Sequence, residues 1–278
     1  MHPILFHFGL HEIHAYSVFY PLAAFVGILL TVRRARIEGF DEIRILRMFL
    51  VAVVGVLIGS RLLDVIARFP LYREEPSRLF SLHEGVVFYG GYLGAIAGAW
   101  LYLRLSRHPF LPILDIASTY LGVGLAIHRT FACFLAGCCY GCPTTMPWGV
   151  VFPAGSPAAQ DYGRAAVHPT QLYEAALGLI IFFALVAWRR KRVVYGEQFA
   201  LSLYLYSIGR FIIEFFRGDD ADRGFYGPLS TSQWISLALF ACAVALTFVV
   251  IRRRRLLREH KIGPQGISRP HDFKPLAR

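Results

Sequence analysis

Seven long apolar stretches divide the chain, at about 15–33, 45–67, 86–105, 112–135, 170–188, 197–216 and 232–251. Each comes near the roughly 20 residues that a helix needs to cross about 30 Å of hydrocarbon. The pattern predicts an all-α, polytopic membrane protein of seven transmembrane helices. Two connections stand out, one at about 68–85 carrying Arg73, Glu74, Glu75 and Arg78, the other at about 136–169 and rich in Gly, Pro and Cys. No Gly/Ser linker, low-complexity tract or internal repeat interrupts the order. The expected organisation is a single membrane domain over residues 1–262, capped on the outer side by about 136–169. A basic tail, 263–278, follows and reads as disordered.

Three arginines break the apolar pattern from within: Arg61, Arg129 and Arg210. Arginine cannot shed its proton to escape lipid, and a charge at the membrane centre costs about 2.5–3.5 kcal/mol on insertion scales. Three of them predict a polar cavity or an anionic ligand. Composition agrees with the membrane class, since 56% of the 278 residues are apolar and only 17% charged.

The net charge of +11 would suit nucleic acid, but its distribution excludes that partner. Twenty of the 29 Lys and Arg fall in Arg33–Arg47, Arg104–Arg107, Arg189–Arg192 and the tail from Arg252. The alternating connections hold six, and residues 1–14 hold none. Under the positive-inside rule the N-terminus is outside and the C-terminus cytoplasmic; the tail then meets anionic lipid headgroups. The first span has no basic region before it and Arg33-Arg34 after it, so it does not read as a cleaved signal peptide.

With that orientation, odd spans start at the outer face and even spans end there. Tyr16, Arg61, Tyr89-Gly90-Gly91, Arg129, Glu174, and Arg210 with Glu214 then fall at one depth in six spans. Arg210 and Glu214, four residues apart, share a helical face. Gly90, Gly91, Gly94 and Gly98, like Gly55 and Gly59, read first as close helix packing. Four cysteines, Cys133, Cys138, Cys139 and Cys142, lie within ten residues. Cys139 and Cys142 have the C-x-x-C spacing of redox or metal sites, and form a possible disulfide in an oxidising compartment. No second cysteine or histidine pair completes a zinc set, although His128 and His168 are possible contributors; no metal is expected, and the cluster reads as structural rather than catalytic.

Five patches in this order resemble the prolipoprotein diacylglyceryl transferase family: His14-Ala15-Tyr16; Gly59-Ser60-Arg61; Tyr89-Gly90-Gly91; His128 to Gly141; and the pair His168-Pro-Thr-Gln-Leu-Tyr-Glu174 with Gly209-Arg-Phe-Ile-Ile-Glu-Phe-Phe-Arg217. The last two are near the family form. Elsewhere the chain departs from it. The family usually has His-Gly-Gly where this chain has Tyr89-Gly90-Gly91, and Gly-Arg-x-Gly-Asn-Phe-x-Asn-Gly-Glu in its signature. An ungapped match puts Thr130 at the arginine position, with Arg129 one residue earlier, Cys133 at the first asparagine and Cys138 at the glutamate. One helical step is about 100° of rotation, so the displaced arginine is the largest change.

The resemblance implies an enzyme of the bacterial inner membrane without a cofactor. It would move a diacylglyceryl group from phosphatidylglycerol to the lipobox cysteine of a preprolipoprotein signal peptide. In that reading Arg210, then Arg129, stabilises the departing phosphate, Glu174 and Glu214 hold the arginines, and Tyr16 donates to the lipid phosphate. Arg61, Thr130, Gly90, Gly91 and Gly141 belong to the lipid site. Tyr89, with an unperturbed pKa about 3.5 units above that of histidine, would position lipid rather than take a proton. Three rivals are a divergent or inactive paralogue, a thiol oxidoreductase built on Cys138, Cys139 and Cys142, and an anion or lipid transporter. The oxidoreductase leaves the intramembrane arginines unexplained, and the transporter lacks repeated halves.

Overall fold

The apolar stretches fold as helices because lipid leaves the backbone no hydrogen-bond partner but itself. The protein was analysed as a computed structural model, which describes residues 4–8, 11–75, 88–219 and 224–259. Positions 76–87 of the first outer connection and the tail at 263–278 lie outside the described residues. Among the described residues, six helices are long and apolar enough to cross a membrane. They are α1 (Ala15–Ile37), α2 (Glu42–Ala67), α5 (Phe110–Ile127, continued to Ala136), α8 (Thr170–Arg189), α9 (Glu197–Ile213, continued to Phe216) and α10 (Thr231–Arg258). The stretch expected at 86–105 is also helical, as α4 (Phe88–Leu105). It carries four glycines among its apolar residues, with three Tyr and one Trp. Short helices α3 (Phe69–Glu74), α6 (Phe134–Ala136) and α7 (Pro157–Tyr162) fill the connections. The all-α expectation needs one addition: antiparallel hairpins β1 (Ile4–Phe8) with β2 (His11–His14), and β3 (Phe225–Tyr226) with β4 (Leu229–Ser230).

Large apolar side chains stay uncovered along the long helices, among them Phe25, Leu57, Leu121, Phe183 and Phe248. Surfaces of this kind suit lipid rather than water. This is a polytopic, helical membrane protein.

The chain forms two compact units, one of residues 32–113 and one of 1–31 with 114–278. In the first, α2 and α4 meet through glycines, which gives the close packing expected of the small residues its partners. A Cβ on Gly94 would lie 2.0 Å from the Gly55 carbonyl oxygen, and one on Gly90 2.3 Å from that of Gly59. Gly91 faces Val56 and Ser60. Asp41 caps α2 by accepting from the Ile43 and Arg44 amides. Near the other end, buried Asp64 accepts from the Tyr72 hydroxyl at 2.5 Å, and the Arg61 guanidinium stands 5.6 Å from the Tyr72 ring centre. Gly94→Leu is expected to force α2 and α4 apart and cost at least about 1–3 kcal/mol, as overpacking does. Thermal unfolding in detergent measures this, and an unchanged midpoint would show that the interface opens freely.

In the other unit, Leu177, Ile181, Leu185 and Ile213 form the core between α8 and α9. Gly122 and Gly178 bring α5 against α8, where an added Cβ would lie 2.5 Å from the opposite carbonyl oxygen. Asp115 of α5 accepts from the amides of Gly196 and Phe199 at 2.9 and 2.8 Å, satisfying donors that the start of α9 leaves open. Ser230 and Gln233 cap α10 reciprocally. The connection at 136–169 has its own small core of Tyr140, Phe152, Ala158 and Val167. Backbone bridges join Val167 to Pro143 and Val150, and Gly141 to Arg217.

Candidate active site

The end of α5 departs from α-helical winding where its polar residues begin. His128–Cys133 form a π turn, in which the amide of Phe134 donates to the Arg129 carbonyl five residues back. Such turns carry an extra residue within a helix and recur at functional sites. The chain then reverses at Gly137, whose φ is 73°. Cys139 follows with φ 59°, left-handed backbone that costs a non-glycine residue about 1–3 kcal/mol. The first residues of α8 hold it there: Thr170 Oγ1 and Gln171 Nε2 each donate at 2.6 Å, to the carbonyls of Cys139 and Cys138.

Arg129 lies one place early in the signature, yet it meets the expected carboxylate. Its Nη2 is 2.9 Å from Glu174 Oε2, and Glu174 is fully buried at 1% exposure. A second guanidinium, Arg217, approaches the same carboxylate at 3.7 Å and is also paired to Asp219. Burial works against the charge on Arg217, but Asp219 and Glu174 outweigh it, so that guanidinium stays ionised. Arg129 Nη1 donates to Cys133 Sγ at 3.7 Å, while buried Nε has no hydrogen-bond acceptor. Tyr16 and Tyr20 stack at 5.6 Å and stand edge-on to His128, next to Arg129.

Arg210 makes the second pair. Its Nη1 donates to Glu214 and its Nη2 to Ser232 Oγ at 2.9 Å, with Arg210 buried and Glu214 wholly so. Tyr206 lies one turn earlier on α9, on the same face as Arg210.

The cysteines sort differently from their spacing. Cys133, Cys138 and Cys139 come together, whereas Cys142, the partner expected for Cys139, is not in the group. All five cysteines are free thiols, so the possible Cys139–Cys142 disulfide is not formed. Hydrogen bonds from Cys133 and Cys138 pull the Cys139 thiol below its ordinary range, with Arg129 and Arg217 adding to the pull.

The structure thus brings Tyr16, Arg129 and Glu174 into one neighbourhood and pairs Arg210 with Glu214. Thr130 sits half-buried in the π turn. Gly141 is wedged in place, since a Cβ there would lie 2.5 Å from both the Phe216 carbonyl oxygen and His168 Cβ. Arg61, Gly90 and Gly91 lie in the other compact unit, where the two glycines face α2. Tyr89 belongs to the first turn of α4, but its side chain lies outside the described residues. Arg217, Asp219 and Ser232 were not singled out from sequence. Arg217 had a usable signal, because it ends one of the two patches closest to family form. Neighbouring polar side chains form a chain of their own: Trp148 Nε1 donates to Tyr173 Oη at 2.7 Å, and that hydroxyl lies 2.9 Å from His168 Nδ1.

Fold and site together define a helical membrane protein with arginine–carboxylate pairs buried among its spans. Comparison with known proteins narrows it. The family model for prolipoprotein diacylglyceryl transferase matches residues 3–249, and the chain belongs to that family. A phosphatidylglycerol–prolipoprotein diacylglyceryl transferase of Clostridium tetani is 36% identical over 238 residues, covering 85% of this chain and 93% of that protein. Its namesake in Nitratidesulfovibrio vulgaris is 34% identical, covering 88% and 92%. That of Geobacter sulfurreducens is 32% identical, covering 94% and 97%.

Proposed function

We propose that this protein transfers the diacylglyceryl group of phosphatidylglycerol to the lipobox cysteine thiol of preprolipoproteins, the first step of bacterial lipoprotein maturation. The observation that carries the reading is the buried Arg129–Glu174–Arg217 network in a chain of this family. The protein works in the inner membrane with seven spans, α4 being the third, its N-terminus outside and its C-terminus cytoplasmic. The alternation of Lys and Arg supports that orientation. Residues 1–262 act as one domain with its cap at about 136–169, and the basic tail at 263–278 lies on anionic headgroups.

In the reaction, the substrate thiolate attacks the carbon of the diacylated glycerol that bears the phosphate. A C–S bond forms as the C–O bond breaks, and glycerol phosphate leaves with the bonding electrons. The phosphate gains negative charge, so guanidinium donors aimed at it favour the transition state. Arg210 and Arg129 take that role. Glu174 and Glu214 hold them, and Tyr16 donates to the lipid phosphate. The family resemblance gives lipid-binding roles to Thr130 and Gly141 and, in the other unit, to Arg61, Gly90 and Gly91, with Tyr89 orienting the headgroup. A thiol with pKa about 8.5 is a few per cent ionised at pH 7, and arginine charge raises that fraction. The thiol proton passes to solvent, without a dedicated base.

The test is transfer of labelled diacylglyceryl from phosphatidylglycerol to a lipobox peptide by the purified protein, with complementation of a strain depleted of its own transferase. Covalent transfer and rescue are expected. Inserted, stable protein that does neither would make the chain a divergent paralogue. Lipid flux without covalent transfer would make it a transporter.

A further inference from the structure

The reaction consumes a substrate thiol and leaves the protein's own cysteines unused. The Sγ atoms of Cys133, Cys138 and Cys139 nevertheless lie within 4.8 Å of one another. We propose that these three cysteines form a binding site for a thiophilic cation, Zn²⁺ or Cu⁺, with His128 completing the set for zinc.

The geometry is close to what such an ion needs. Zinc–sulfur bonds of about 2.3 Å in a tetrahedron place sulfurs ~3.8 Å apart, and an imidazole nitrogen at about 2.05 Å lies ~3.6 Å from each sulfur. His128 Nε2 is 3.6 Å from Cys133 Sγ but more than 4.8 Å from at least one of the other two sulfurs, so its side chain has to move to join them. A shift of less than about 1 Å closes the sulfurs to the required spacing. The donors are soft, which excludes magnesium and calcium and selects zinc or copper(I).

Independent observations show that the arrangement is built rather than accidental. The backbone reversal at Gly137 brings Cys138 back over the π turn, where its amide donates to the Cys133 carbonyl at 3.2 Å. Cys139 is held in left-handed backbone by the Thr170 and Gln171 side chains, although nothing in the transfer chemistry needs a strained cysteine. Strain of this kind persists where a site over-determines it. Arg129, already paired with Glu174, also turns an N–H donor to Cys133 Sγ at 3.7 Å. Donors to ligand sulfurs are the usual outer partners of thiolate sites. The ion would tie the end of α5 to the start of the connection at 136–169, beside the arginine network.

The full chain, purified in detergent under reducing conditions, is to be dialysed against zinc, or copper(I) in a separate arm, and its metal counted by mass spectrometry. Cobalt(II) loading reports the ligands through thiolate-to-cobalt charge-transfer absorption and tetrahedral d–d bands. One ion per chain is expected in the wild type and in Cys142→Ala, with at least tenfold weaker binding in Cys139→Ser and Cys133→Ser. Zinc retention with weakened binding in His128→Ala supports the four-ligand set. Retention of copper(I) alone supports the three-sulfur set without His128. Because a serine variant can misfold, folded wild type that shows no cobalt–thiolate band is sufficient to overturn the proposal. Equal binding by folded Cys139→Ser, or a disulfide among the three sulfurs in protein isolated from membranes, overturns it as well.

Discussion

Arg210→Lys is expected to insert and fold like the parent and to lose transfer activity on the order of 100-fold or more, the effect of removing one preorganised donor. Lysine keeps the positive charge beside Glu214 but lacks the planar fork, so it cannot reach two acceptors in fixed directions. Arg210 now spans Glu214 and Ser232, and this two-pronged hold is what lysine cannot copy. Glu214→Gln should be milder and act partly through Arg210, giving non-additive rates in the double variant. The measurement is the diacylglyceryl transfer assay on purified variants, with melting midpoints alongside. A near-normal rate for Arg210→Lys would reduce Arg210 to an ion-pair partner and pass the phosphate role to Arg129.

Glu174→Gln should act on stability as well as rate. The carboxylate is 1% exposed and faces Arg129 at 2.9 Å and Arg217 at 3.7 Å. Replacing it with a neutral amide leaves two buried guanidiniums facing each other with less compensation. Removing one partner of a buried ion pair costs about 3–5 kcal/mol. Asp219 remains on Arg217 and offsets part of this, so the lower end of the range is expected. Combining Glu174→Gln with Arg129→Gln should restore part of the loss, since the guanidinium that Glu174 holds at 2.9 Å goes with it. Thermal unfolding of the two single variants and the double completes the cycle. Strict additivity, or a loss below about 1 kcal/mol for Glu174→Gln, would show that the pair is solvated and weak.

The helices were legible in the sequence because lipid imposes a length and an apolar composition on any segment that crosses it. Close helix packing at Gly55, Gly59, Gly90 and Gly94 was legible too, but not that α2 and α4 pack against each other. The less regular parts were not. Nothing local in Ile4–Phe8 or Leu229–Ser230 competes with the apolar signal enough to announce a hairpin. The grouping of Cys133 with Cys138 and Cys139, rather than Cys139 with Cys142, depends on two left-handed residues and on bonds from Thr170 and Gln171, about thirty positions away. Spacing rules assume regular backbone and so chose the wrong partner. Arg217 was counted as a loop charge because it follows a span. The bridge between Gly141 and Arg217 is what draws it back towards Glu174.

The π turn at His128–Cys133 has a bearing on how such a chain diverges. An insertion in a regular helix rotates everything beyond it and would ordinarily scramble a buried site. A π turn takes up one residue more than an α turn between Arg129 and Gly137, and the guanidinium still lands on Glu174. A chain whose arginine stands one place early in the signature can in this way keep its ion pair. A fixed-spacing motif will score such a chain as having lost an arginine that its structure has kept.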